Sequence, residues 1–207
     1  NGWDRWYSSS DIESVANRAR QMVEKGFTAL KFDPIKGPRS NYISREEEKD
    51  AIECVRAVRE AVGPDVDLLI EIHRRLAPMH AIRIAKEIKK YDPFWYEEPV
   101  SSRNIDALAE IRRQIDIPVV TGEELYTKIE FREVFEKRAA DIINPDVANC
   151  GGILELKEIA AMAEPSFITV SPHNYNSTTI ALAATIQVSA VIPNFLIAVY
   201  FMNFDDF

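Results

Sequence analysis

Two hydrophobic rhythms alternate along the chain. Segments with apolar residues every three or four positions, the spacing of a helix, are separated by short runs that are apolar at nearly every position, the habit of strands buried on both faces. The first helical segment, "SSSDIESVANRARQMVEKGF", opens on Ser and Asp capping candidates and stops at Gly26. Strand "TALKF" and the turn-rich "PIKGPRSNY" lead into helix "SREEEKDAIECVRAVREAVGPD", whose Ser44 and Glu47 form a capping-box start. The alternation continues with strand "DLLIEIH", helix "PMHAIRIAKEIKKY", strand "FWYEEP", helix "NIDALAEIRRQI", strand "PVVTGEE" and helix "KIEFREVFEKRA". Strand "DIINPD", helix "GGILELKEIAAMAE", strand "FITVSPH", helix "TTIALAATIQVSAV" and strand "NFLIAVYF" complete the series.

Unbroken βα alternation with apolar strands predicts an α/β fold, a parallel sheet covered by helices. A barrel is its natural closure, and seven strands are visible from "TALKF" onward. The opening "NGWDRWY" reads as the loop after an earlier strand, so residues 1–207 are expected to form one barrel domain of a longer chain, without its first strand. An open doubly wound sheet is the competing architecture; it usually carries a Gly-rich phosphate loop, and no G-x-G-x-x-G occurs among the seven glycines.

With 46% hydrophobic and 28% charged residues, the composition is that of an ordinary globular domain able to bury a sizeable core. The net charge of -8 and the lack of basic runs with interleaved aromatics argue against nucleic acid as a partner. An anionic substrate then needs local positive charge or a metal. Cys54 and Cys150, far apart, give neither a disulfide framework nor a zinc spacing, so reduced thiols and a cytoplasmic location are expected. No apolar run approaches the ~18 residues of a membrane span, and the start lacks the pattern of an export signal.

The chemistry lies at the strand ends. Glu71 and His73 end one strand, Glu97 and Glu98 the next, Glu123 and Glu124 the next, and Asp146 and His173 the two after that. Glu71 alone reads as a solvated strand end. Glu71, Glu97 and Glu123, however, follow one another at equal intervals, so each βα unit delivers a carboxylate to the same height. At the mouth of a parallel barrel three converging carboxylates need a compensating cation, and an all-oxygen set suits Mg²⁺. Asp146 and His173 can form a pair in which the acid orients the ring for proton transfer, with His73 across the metal from them.

The ordered set "EIHRR", "WYEEPV", "TGEE", "NPDVANCGG" and "SPHN" resembles the catalytic barrel of the enolase superfamily, in the mandelate-racemase-like branch that includes acid-sugar dehydratases. The resemblance implies a (β/α)7β TIM-like barrel without its capping domain. It implies Glu71, Glu97 and Glu123 as Mg²⁺ ligands, and Asp146 with His173 as the dyad that removes the proton next to the substrate carboxylate. His73 matches the histidine that protonates the departing 3-hydroxyl in gluconate- and galactonate-type dehydratases, giving a 2-keto-3-deoxy acid. It further implies a homo-oligomer, an octamer or a dimer. The alternatives are a racemase, epimerase or mannonate-type dehydratase of the same branch, or a catalytically silent metal-binding relative.

This chain also departs from the pattern. Glu71 stands where relatives often have Asp, and Val199 falls where many have a Glu. "LKFDP" keeps Lys31 of the racemases' Lys-x-Lys motif but has Asp33 at its second position, which favours the dehydratase. The capping-domain loops that select substrate are expected outside these residues. Other positions have structural readings: Glu98 and Glu124 as helix-terminal charges or supporting partners on the opposite strand face, His80 as a surface histidine, Cys54 and Cys150 as packing residues, Gly151 and Gly152 as a helix start, and residues 94–96 as buried strand.

Overall fold

A computed structural model describes residues 11–36, 41–175 and 178–199. Helix α1 (Ile12–Glu24) starts at Asp11, whose side chain accepts from the Glu13 amide at 3.0 Å. It is followed by β1 (Ala29–Phe32) and by α2 (Arg45–Val62), whose capping box is formed in both directions between Ser44 and Glu47. Next come β2 (Asp67–Glu71), α3 (Pro78–Ile88), β3 (Trp95–Glu97), α4 (Ile105–Gln114) and β4 (Val119–Thr121). The described chain closes with α5 (Thr127–Glu136), β5 (Ile142–Ile143), α6 (Ile153–Ala163), β6 (Thr169–Val170) and α7 (Thr179–Ser189).

The six strands form one sheet in the order β1 to β6, each parallel to the next. A doubly wound sheet would reverse its order at a switch point; this one never does, so successive βα units wind in one direction, as in a barrel wall. Of the expected seventh strand, whose last two residues, Tyr200 and Phe201, lie outside the described residues, one bridge is present, Val170 to Phe195. Its ladder still forms: the Val170 amide donates to Asn194 O and the Leu196 amide to Val170 O, both at 2.9 Å.

Strand alternation divides the apolar residues into two cores. The larger lies between sheet and helices and holds Leu68, Ile70, Tyr96, Val119 and Ile143 with the inner faces of α2 to α6. The smaller, Ala29, Leu69, Trp95, Val120 and Ile142, with Phe94 and Ile197 against it, fills the other face of the sheet. The buried reading of residues 94–96 holds for Trp95 and Tyr96, which take opposite faces. This second core is the platform on which the polar strand ends stand.

The reading of His80 is corrected. His80 is not on the surface: it is 1% exposed, on the same face of α3 as Ala81 and Ile84, and its Nδ1 lies 2.5 Å from Glu48 Oε1 of α2. The apolar face of α3 is wider than the sequence implies because Glu48 gives the ring a buried partner. Cys54 and Cys150 are buried and free, and burial pushes their thiols up to about 12 and about 11, which suits packing residues. Among the described residues no helix is long and apolar enough to cross a membrane.

Candidate active site

Register brings the first two carboxylates together. Glu71 and Glu97 are the last residues of β2 and β3 and are direct partners in the parallel pairing. Each stands two residues beyond a member of the smaller core, Leu69 and Trp95, so strand alternation aims both side chains to the same side. Glu123 arrives differently, from a turn rather than from β4. Gly122 bends the chain there with φ 136°, and a Cβ on it would lie 2.8 Å from the Phe131 ring. Only glycine meets both demands.

The three carboxylates are buried, and one oxygen from each lies within 4.8 Å of the others. Lys31, two residues on from Ala29 in β1, reaches under them: its Nζ is 3.1 Å from Glu71 Oε2 and 2.5 Å from Glu97 Oε1. Asn144 Nδ2 donates to Glu97 Oε1 at 2.9 Å, and the His73 amide donates to Glu71 Oε1 at 2.8 Å. Glu123 is engaged by Arg74 and, at 3.2 Å, by His173 Nε2. Among the described residues Glu97 Oε2 is buried without a hydrogen-bond donor, and Glu71 Oε2 meets the Lys31 ammonium but no further donor.

The electrostatics follow from this crowding. Burial drives the Glu97 carboxyl well above the usual carboxylate range, and Glu71 and Glu123 add to it against Lys31. Glu71 is held far below that range, because the charges of His73 and Lys31 outweigh its own burial. Burial would lower the Lys31 ammonium, but Glu97, Glu71 and Glu123 together raise it. Three buried carboxylates with converging oxygens, one of those oxygens without a donor, and no thiol among them fit a hard divalent cation.

Lys31 is therefore the internal counter-charge of Glu71 and Glu97. Lys31→Met should destabilise the metal-free protein by about 3 kcal/mol, as expected when a buried charge loses its partner. Added Mg²⁺ should restore most of the loss, which thermal melts with and without the ion would read.

At the Glu123 end, His173 Nδ1 lies 2.8 Å from Asp146 Oδ2, and Asp146 Oδ1 accepts from the Ala148 amide at 2.8 Å. Asp146 and His173 are also bridge partners, so the βα units holding them are in register. At the Glu71 end, His73 Nδ1 lies 2.6 Å from Asp33 Oδ2. The Asp33–His73 and Asp146–His173 contacts both use Nδ1. A cleft of about 370 Å³ opens above the Glu123 end, lined by Arg74, Glu123, Glu124, Asp146, His173 and Tyr175 among others. His73 is not part of its lining; it belongs to the β1–β2 side.

All six residues expected to act thus come together at one end of the sheet. Sequence reasoning missed Lys31 as the buried cation, Asn144, Arg74 and the role of Asp33. A lysine inside the apolar run "TALKF" was the available signal for the first. Glu98 takes a supporting place: its Oε1 accepts from Thr121 Oγ1 at 2.9 Å and from the Gly122 amide at 2.8 Å, holding the turn that carries Glu123. Burial, followed by the charge of Glu123, pushes its carboxyl up to about 8. Glu124, more exposed, pairs with Arg74 Nε at 3.2 Å. Val199 is 3% exposed, and its amide donates to Pro172 O at 3.3 Å.

Comparison with known proteins gives a consistent set. A family model described as "Enolase C-terminal domain-like" matches residues 14–206. D-gluconate dehydratase of Thermoproteus tenax is 39% identical over 193 residues, which is 93% of this chain and 38% of that protein. D-gluconate/D-galactonate dehydratase of Picrophilus torridus is 34% identical over 93% of this chain and 49% of its own length. Among solved structures, a mandelate racemase/muconate lactonizing enzyme-like protein from Rubrobacter xylanophilus superposes with a TM-score of 0.88 at 39% identity, over 94% of this chain and 51% of that one. The chain therefore spans half or less of the length of these two dehydratases.

Proposed function

This chain belongs to the enolase C-terminal domain-like family, and from that premise we propose that the protein containing it is a Mg²⁺-dependent dehydratase of six-carbon sugar acids of the gluconate or galactonate kind. The observation that carries this reading is the row of Glu71, Glu97 and Glu123 with an imidazole–carboxylate pair at each end. The two dehydratases named above support the substrate class.

In this reading Glu71, Glu97 and Glu123 hold the metal. Bound there, the ion neutralises the substrate carboxylate and the charge that develops on it as the neighbouring proton leaves. His173 Nε2 takes the proton from the carbon next to the carboxylate, while Asp146 accepts a hydrogen bond from Nδ1–H and keeps the ring in that tautomer. His73 donates a proton to the hydroxyl on the following carbon, which departs as water. Tautomerisation of the product gives a 2-keto-3-deoxy acid. Lys31 and Asn144 keep Glu97 in place throughout.

The test is product analysis of the full-length protein with Mg²⁺ and a panel of hexonates and pentonates, followed by ¹H NMR. Formation of a keto acid from gluconate or galactonate is the expected result. Exchange of the α-proton with no loss of water would point instead to a racemase or epimerase, and no reaction with any acid would reject the reading.

A further inference from the structure

The Asp146–His173 pair has a counterpart that the mechanism above leaves unexplained. Asp33, just beyond β1, has a side chain only 1% exposed. Its Oδ1 accepts from the Ile35 amide at 2.6 Å. Its Oδ2 receives His73 Nδ1 at 2.6 Å and Arg75 Nη2 at 2.9 Å. Arg75 is itself held, because its Nη1 donates to Ile35 O at 2.7 Å. The carboxylate is thus fixed on both oxygens, and its charge is met by a guanidinium that cannot give up its proton.

The backbone supports the same arrangement. His73 and Arg74 both have positive φ, 53° and 61°, a conformation that non-glycine residues occupy only at an energetic cost. Two consecutive left-handed residues turn the chain sharply as it leaves β2, which lets His73 and Arg75 converge on one carboxylate. A surface ion pair would need no such backbone.

We propose that Asp33 is a positioning residue for His73: it accepts a hydrogen bond from Nδ1–H, fixes the tautomer and ring orientation, and makes Nε2 the nitrogen that serves the departing hydroxyl. Arg75 in turn holds Asp33. The site then carries two imidazole–carboxylate pairs of the same design, one for each proton transfer. This assignment rests on the dehydratase reading for what His73 does, but not for how Asp33 holds it. It also gives a physical reason for an acid at the second position of "LKFDP".

The experiment has two arms. In a two-dimensional ¹H–¹⁵N long-range spectrum of the uniformly labelled protein, the signals that vanish in His73→Gln identify the ring in question. The expected spectrum has a hydrogen-bonded proton on Nδ1 of His73 in the wild type, and that proton moves in Asp33→Asn. A wild-type ring with a bare Nδ1, or an unchanged ring in Asp33→Asn, overturns the proposal. If Asp33→Asn does not fold, the wild-type spectrum alone decides.

The second arm follows gluconate and Mg²⁺ in D₂O. Asp33→Asn should lose dehydration about 10²–10³-fold while exchange of the α-proton, the task of His173, stays within about threefold, and Asp33→Glu should recover part of the loss. A merely structural Asp33 would lower both together, and that result also overturns the proposal. If the wild type makes no keto acid, the dehydratase reading fails, and the spectroscopic arm still decides whether Asp33 orients His73.

Discussion

Glu97→Gln is expected to abolish Mg²⁺ binding, lowering affinity on the order of 10³-fold or more, and to take dehydration with it. Glu97 is the middle carboxylate of the row: fully buried, in register with Glu71, and braced by Lys31 and Asn144. Two unit charges ~4 Å apart interact by about 4 kcal/mol at an effective dielectric of about 20, and a divalent ion by more, so one lost charge suffices for that change. The variant also separates the metal from the fold. A carboxyl raised by burial and by Glu71 binds its proton more tightly in the folded protein than in the unfolded chain. Its ionisation therefore works against the fold, increasingly as pH rises above the ordinary carboxylate range.

Glutamine, neutral at every pH, removes that penalty. The metal-free variant should melt no lower than the wild type at neutral pH, and its relative advantage should shrink towards pH 4 and below. Calorimetric titration with Mg²⁺ and melts across pH measure both effects. Glu124→Gln, outside the triad and 40% exposed, serves as control and should bind within about threefold of the wild type. Retained binding in Glu97→Gln would show that the carboxylates do not act as one site.

His173→Asn should reduce dehydration by about 10³–10⁴-fold and stop exchange of the substrate α-proton with solvent, while Mg²⁺ affinity changes little. The size is that of losing a positioned general base. The specificity comes from geometry: His173 Nε2 stands 3.2 Å from Glu123 Oε2 at the cleft, and its Nδ1 is tied to Asp146. His73→Gln should show the opposite pattern, with exchange retained and water loss abolished. Following both reactions by ¹H NMR in D₂O distinguishes the two imidazoles, and identical behaviour of the two variants would contradict the division of labour. Asp146→Asn should fall between, because it leaves the ring in place and releases only its tautomer.

Much of this site was legible in the sequence because a parallel βα repeat converts spacing into position. Equal intervals between Glu71, Glu97 and Glu123 meant equal height at the strand ends, and the three do converge. The seventh strand was legible as an apolar run, yet among the described residues it makes a single bridge, at Phe195. His80 was misplaced because helical period alone does not reveal a partner on another helix; Glu48 of α2 is 32 residues away in sequence. Glu123 was expected on a strand, but the conformation of Gly122 puts it in a turn held by Glu98.

Local pattern by itself determined the βα order, the apolar strands, the helix caps at Asp11 and Ser44 and the residues offered at the strand ends. Those properties depend on neighbours within a few residues, and chain chemistry at that range is readable without coordinates. Tertiary structure alone decided which charges meet: Lys31 beneath Glu71 and Glu97, Asp33 against His73 and Arg75, Arg74 on Glu123. These contacts join separate βα units, and their strength comes from removing the groups from water. Both depend on the register between strands and on burial beneath the whole sheet, which no local stretch of sequence contains.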